Sequence, residues 1–177
     1  MNLNRIFEQV LNETLSLDEL FIQGLNLCIK AEKCIVNAIV NACKPFALNE
    51  ADNTNINNVT DNIAIEAINN ADILINHING VITSLNTRDE NLRREHLRTH
   101  GNNEGFRPQF TNPRRSRLAH QQFLRNIQEA RQELNDENLV KELMEQIEES
   151  LRNRIKNKQN ELISAEEKLT EIFNTYS

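Results

Sequence analysis

Between residues 56 and 86 apolar side chains recur along two lines at once. Ala64, Ala67, Ala71, Leu74, Ile78, Val81 and Leu85 follow alternating steps of three and four, and Ile65, Ile68, Ile75 and Ile82 run beside them. On a helix of 3.6 residues per turn these are two adjacent stripes, so the segment needs more than one neighbour to cover it. Such a helix is about 46 Å long, and its only charges are Asp61, Glu66 and Asp72. Alanines at its start let another backbone approach closely. The segment reads as the central helix of a helical domain.

The remainder of the chain offers little to any other fold class. Four Gly and three Pro are too few for the turns of an all-β protein. After Pro113 neither residue occurs again, which leaves a helical run of 64 residues. With only seven Phe, one Tyr and no Trp, the core must be mainly Leu, Ile, Val and Ala, the usual filling between packed helices. A length of 177 residues suits one domain, over residues 1–177, that folds without disulfides or metals. Asn is abundant, at 28 positions, but it falls between the apolar stripes and not in tracts. Helices with so much Asn depend on tertiary packing more than on intrinsic propensity.

In chain order, Leu3, Ile6, Phe7, Val10 and Leu11 predict a short helix over residues 3–13. Ser16 or Asp18 then caps a second helix that runs to about Cys43, where Pro45 stops it. Gly24 inside that helix costs about 1 kcal/mol against Ala, which points to a close helix crossing. Residues 44–55 form a polar connection. Beyond the central helix, Thr87 and Glu90 have capping-box spacing, so either a new helix starts there or the central one continues to about Thr99, and Gly101 ends it in both cases. Residues 101–113 hold two Gly and two Pro and read as an irregular Arg-rich loop pinned by Phe106 and Phe110. His120, Phe123, Ile127, Ala130 and Leu134 carry the next helix to a break at residues 135–138. Val140, Met144, Ile147, Leu151, Ile155, Leu162, Ala165, Leu169, Ile172 and Tyr176 stripe the last one, with Lys158 in the gap between Ile155 and Leu162.

Catalytic and metal chemistry find no support in this pattern. Glu95, His96 and His100 lie within one turn or so of each other, but no third metal ligand accompanies the two His and the order is not that of a zinc hydrolase. There is no nucleophile elbow, no catalytic Cys signature and no Gly-rich phosphate loop. We therefore expect no enzyme activity, no metal and no cofactor. Cys28, Cys34 and Cys43 lack a CxxC pair and read as buried free thiols on one helix. The N-terminal stretch lacks the basic-then-apolar layout of a signal peptide and no apolar run is long enough to cross a membrane. The expected location is thus intracellular, cytoplasmic or nuclear, and not secreted.

Charge is the sharper functional signal. The formal net charge is -6, yet residues 93–117 contain Arg93, Arg94, Arg98, Arg107, Arg114, Arg115 and Arg117 against Glu95 and Glu104, a local +5 that leaves -11 elsewhere. Arg in place of Lys suits bidentate contacts to carboxylate or phosphate. The island can dock an acidic protein surface, can bind nucleic acid, or can neutralise the acidic C-terminal helix of the same molecule. The first is favoured over the second because the molecule as a whole is acidic. Ser116, preceded by two Arg, has the look of a site for a basophilic kinase, or it simply caps the next helix.

A short, acidic, Asn-rich helical chain of this kind resembles accessory proteins of large insect DNA viruses. In its length and in the opening MNLNRIFEQVLNETLSLDELF followed by an apolar helix, it resembles the baculovirus protein-kinase-interacting protein family. The resemblance implies a non-catalytic partner that binds a viral serine/threonine kinase and stimulates it. From the residues themselves the expectation is an all-α single domain of about five or six helices, an antiparallel bundle with long central and C-terminal helices, acting as a binding or regulatory protein. The alternatives are a self-associating structural protein of virion type and nucleic-acid binding through the Arg-rich loop.

Overall fold

The computed structural model describes residues 15–47, 54–135 and 138–177. The helix expected over residues 3–13 and residues 48–53 of the connection expected at 44–55 lie outside the described residues, and the two ends of that connection are helical. Five α-helices and no strand are present among those described: α1 (Leu17–Ala47), α2 (Thr54–His100), α3 (Pro113–Asn135), α4 (Asn138–Gln146) and α5 (Glu149–Tyr176). The fold is an all-α bundle.

Side-chain pairings give the helix directions. Phe21 meets His120 and Glu32 meets Arg131, so α1 and α3 run the same way. Phe21 also meets Phe173, and Gly24 faces Leu169, so α5 runs opposite to α1. Arg154 with Asn69 and Lys158 with Asp72 set α2 parallel to α5. The four long helices therefore alternate up and down, the arrangement that short connections favour.

The helix at the centre is α1. It packs against α2, α3, α4 and α5, whereas α2 packs chiefly on α1 and α5. This corrects the sequence reading, which puts residues 56–86 there. The first stripe of α2 is buried as expected except at Leu74, and of the second stripe Ile68, Ile75 and Ile82 are buried while Ile65 is half-buried. Val59, Ile63 and Ile73 stay exposed, so one side of α2 faces solvent. α1 instead buries Leu20, Phe21, Gly24, Leu25, Cys28, Ala31, Ile35, Ala38, Ile39 and Ala42 in one continuous broad stripe that runs its whole length. Cys28 and Cys43 are buried free thiols and Cys34 is half-buried; burial pushes the Cys43 thiol up to about 11, so it stays protonated.

The helix ends show how local chemistry sets these boundaries. Ser16 caps α1, its Oγ accepting the Glu19 amide at 3.1 Å. Pro45 does not stop α1, which continues to Ala47; in the last turn the missing N–H costs only the one bond to residue 41. Nor does Thr87 start a new helix. Its hydroxyl donates back to the Thr83 carbonyl at 2.9 Å, and α2 continues unbroken to His100. Gly101, at φ 77°, then closes α2 through its N–H to Leu97 O at 2.8 Å. The C-terminal helix expected from Val140 onward is broken at residues 147–148. Arg152 reaches back across this break and donates to the Met144 and Glu145 carbonyls, which the end of α4 leaves without helical partners.

Two features hold the long helices in register. At Gly24 a Cβ would lie 3.1 Å from a Leu169 methyl and 3.4 Å from Val81, so the bare backbone lets α1 pass between α2 and α5 without displacing Leu169. Farther along, the Arg131 guanidinium of α3 donates to Glu166 of α5 at 2.8 Å and to Glu32 of α1 at 3.3 Å. Both carboxylates are buried, so one cation serves two anions. Burial pushes the Glu166 carboxyl up, although the Arg131 hydrogen bond and charge oppose this.

Two substitutions of the same residue type should therefore act in opposite directions. Gly24→Val should destabilise the fold by about 1–3 kcal/mol through overpacking. Gly80→Ala, where nothing lies within 4 Å, should stabilise it by about 0.5–1 kcal/mol; urea unfolding of both variants checks the pair. For the charged triad, Arg131→Met is expected to cost about 2–4 kcal/mol, short of a fully buried pair because the guanidinium is 36% exposed. Glu166→Gln, which leaves one cation facing one anion, should cost about 1 kcal/mol or less. Folding favours the protonated form of Glu166, so its contribution is complete below the ordinary carboxyl range and is lost as pH rises through the raised pKa. Unfolding measured across pH should show that loss in the wild type and a flatter profile in Glu166→Gln.

Candidate docking surface

One end of the bundle gathers the Arg residues. Leu85 is the last buried residue of α2, and residues 86–100 continue as four turns of largely exposed helix, with Asp89 set against the hydroxyl of the buried Tyr176. Pairs along the helix support these turns: Arg93 with Asp89 at 2.8 Å, Arg94 with Glu90 at 2.5 Å and Arg98 with Glu95 at 2.5 Å. In such exposed positions each adds little, because solvent screens the charges.

The loop folds back along this arm. Phe106 lies 4.8 Å under the Arg93 guanidinium and 5.3 Å from the His96 ring, and His96 stacks on His100 at 4.1 Å. The His96 ring nitrogen Nε2 is 3.2 Å from the Glu104 carbonyl. The two His are thus engaged in pinning the loop, and among the described residues no three His, Cys, Asp or Glu side chains are grouped to hold a metal. Phe110 is the second pin. Its ring joins Phe21, Phe173 and Tyr176 in the core, and its N–H donates to the Tyr176 carbonyl at 3.1 Å.

Asp18 fastens the loop's last residues. Its buried carboxylate accepts the amides of Thr111 and Asn112, so it serves the loop and not the start of its own helix. Asn112 in turn caps α3 by accepting the Arg115 amide at 3.2 Å, and Pro113 fills the first helical position, where no N–H is needed. This short chain of bonds fixes the direction in which α3, and the Arg residues on it, leave the loop.

The seven Arg of the sequence reading separate into two groups. Arg93, Arg94 and Arg98 are occupied by carboxylates of α2 itself. The intramolecular neutralisation considered for the island is therefore local to α2, and the C-terminal helix takes no part in it among the described residues. Arg107, Arg114, Arg115 and Arg117 are exposed and make no ion pair there. Their face continues along α3 to Arg125, a residue the sequence reading passed over. The signal was available, because residues 105–128 contain five Arg and no Asp or Glu. Arg114, Leu118, Gln121 and Arg125 follow steps of four, three and four along the outer side of α3. Leu118 is 55% exposed among them, and Leu124 beside them is 49% exposed.

Ser116 does not belong to this surface. It is 0% exposed and lies on the buried stripe with His120, Phe123 and Ile127. A kinase cannot reach its hydroxyl in the folded molecule, so the phosphosite reading is withdrawn. Helix phase is the reason: residues 114, 115 and 117 point outward, and 116 must then point in.

If Phe106 is what holds the loop to the arm, Phe106→Ala should raise hydrogen exchange at the amides of residues 103–107 by about tenfold or more. The melting temperature should move little, since Phe110 and Asp18 still secure the loop to the core. In comparisons with known proteins, no family model, no curated protein and no solved structure matches this chain.

Proposed function

We propose that this protein is a non-catalytic docking protein that engages an acidic surface of a partner protein through the basic strip of the loop and α3. The observation that carries this reading is the strip itself: Arg107, Arg114, Arg115, Arg117 and Arg125 exposed without a single acid between residues 105 and 128. Guanidinium groups left without internal carboxylates are ready for charge-assisted bonds to a partner. Leu118 and Leu124 add apolar area at the centre of the strip, which favours a protein over a phosphate backbone as occupant. The overall charge of -6 acts in the same direction, because it repels a polyanion at long range.

The family resemblance would make that partner a viral serine/threonine kinase, stimulated by the docked protein. Mixed with a baculovirus serine/threonine kinase, the wild type is expected to co-elute with it and to raise its rate on a basic substrate. The triple variant Arg114→Glu, Arg117→Glu, Arg125→Glu should keep its helical circular dichroism and lose affinity by about tenfold or more. Absence of binding and of any rate change would remove the kinase from the reading. Retention of DNA or RNA, with affinity falling linearly in log salt, would replace protein docking by nucleic-acid binding.

A further inference from the structure

The strip has a counterpart in the same molecule. Residues 142–151, from α4 into the first turn of α5, contain Glu142, Glu145, Glu148 and Glu149 and no Lys or Arg. All four Glu are exposed, and none makes an ion pair among the described residues. Lys141 precedes this run, and Arg152 after it is turned toward the carbonyls at the end of α4. The acids are crowded instead of compensated: burial raises the pKa of Asp61 on α2, and the charge of Glu148 raises it further.

Basic strip and acidic run lie toward opposite ends of the bundle. The strip is centred on the first half of α3, and the acidic run begins beyond its far end. α3 has 23 residues, about 34 Å of helix, so within one molecule Arg114 and Arg117 cannot reach Glu142 or Glu145. A second molecule, displaced along the bundle axis, can bring the two together. Five cations without acids would then face four anions without cations.

We propose that the occupant of the basic strip is the Glu142–Glu145–Glu148–Glu149 surface of a second copy of this chain, in a head-to-tail contact. The inference rests on the reading of the strip as a docking surface and adds the identity of a partner. The contact is heterologous, with different patches on the two copies, so each copy added leaves one strip and one acidic run open. Association is then open-ended and does not stop at two copies. It is also weak and sensitive to salt, because exposed ion pairs are individually small and are screened within a Debye length.

The test uses the full chain and charge reversal. At about 0.02 M salt the weight-average mass from sedimentation should rise steadily with protein concentration, and at about 0.5 M salt it should fall back to that of one chain. The variant Arg114→Glu, Arg117→Glu, Arg125→Glu should remain monomeric at low salt, and so should the variant Glu142→Arg, Glu145→Arg, Glu148→Arg. Mixing the two variants restores both complementary contacts, and the mass should rise again. A wild type that stays monomeric at low salt at every concentration overturns the proposal, whatever the variants do. So does association that saturates at two copies, or that persists in either variant alone. A monomeric wild type that still binds the kinase would end this inference and leave the docking function standing.

Discussion

A backbone without a side chain at Gly24 is the condition on which the packing of the long helices depends. There α1 slips between Val81 of α2 and Leu169 of α5, so closely that a methyl group at this position would displace the Leu169 side chain by a few tenths of an ångström. Because α1 can come this close to both, its other faces remain available to α3 and α4, and one helix is surrounded by the rest. The aromatic cluster of Phe21, Phe110, Phe173 and Tyr176 then closes one end of the bundle. The Glu32, Arg131 and Glu166 triad ties three helices together farther along. Buried ion pairs stabilise little beyond what an apolar replacement would give, but they penalise any shift that separates them, and so they suit a role in fixing register.

Charge is arranged as deliberately as the core. Acids on α2 neutralise the Arg residues of the same helix, which leaves the arm with little net field of its own. The Arg residues of the loop and α3 receive no such compensation. The surface thus divides into a neutral arm and a cationic strip, joined by the loop that Phe106 and Asp18 hold in place. A docking face needs that rigidity, since ordering a loose loop on binding would consume part of the affinity.

Local signals in the sequence were read correctly where a local cause decides the outcome. Gly101 ends α2, Ser16 caps α1, the chain breaks between α3 and α4, and Phe106 and Phe110 pin the loop, each by chemistry within a few residues or by a lone large apolar group. The periodicity of α2 was also legible, and its two stripes do have the more than one neighbour they require, α1 and α5, but nothing in them shows that α1 has four. The central place therefore went to the wrong helix. Thr87 illustrates a different limit, because a hydroxyl can cap a new turn or bond back to an old one, and only continued packing of the preceding helix chooses. The Arg131 triad joins residues 99 and 35 positions apart, a separation at which no spacing rule operates. Ser116 was misplaced because the Arg residues around it were read as a linear motif, without the helical phase that turns it inward.

The unbroken length of α2 has a mechanical consequence. Its 47 residues make a rod about 70 Å long, of which the bundle buries the part from Thr60 to Leu85. Beyond Asp89, which meets the hydroxyl of the buried Tyr176, some 11 residues, about 16 Å, extend as a lever with its fulcrum at that contact. No glycine, proline or break lies between His100 and that contact to absorb a bend. A load applied near His100 is therefore delivered as torque on the buried half of the same helix, where Val81 presses on the glycine of α1.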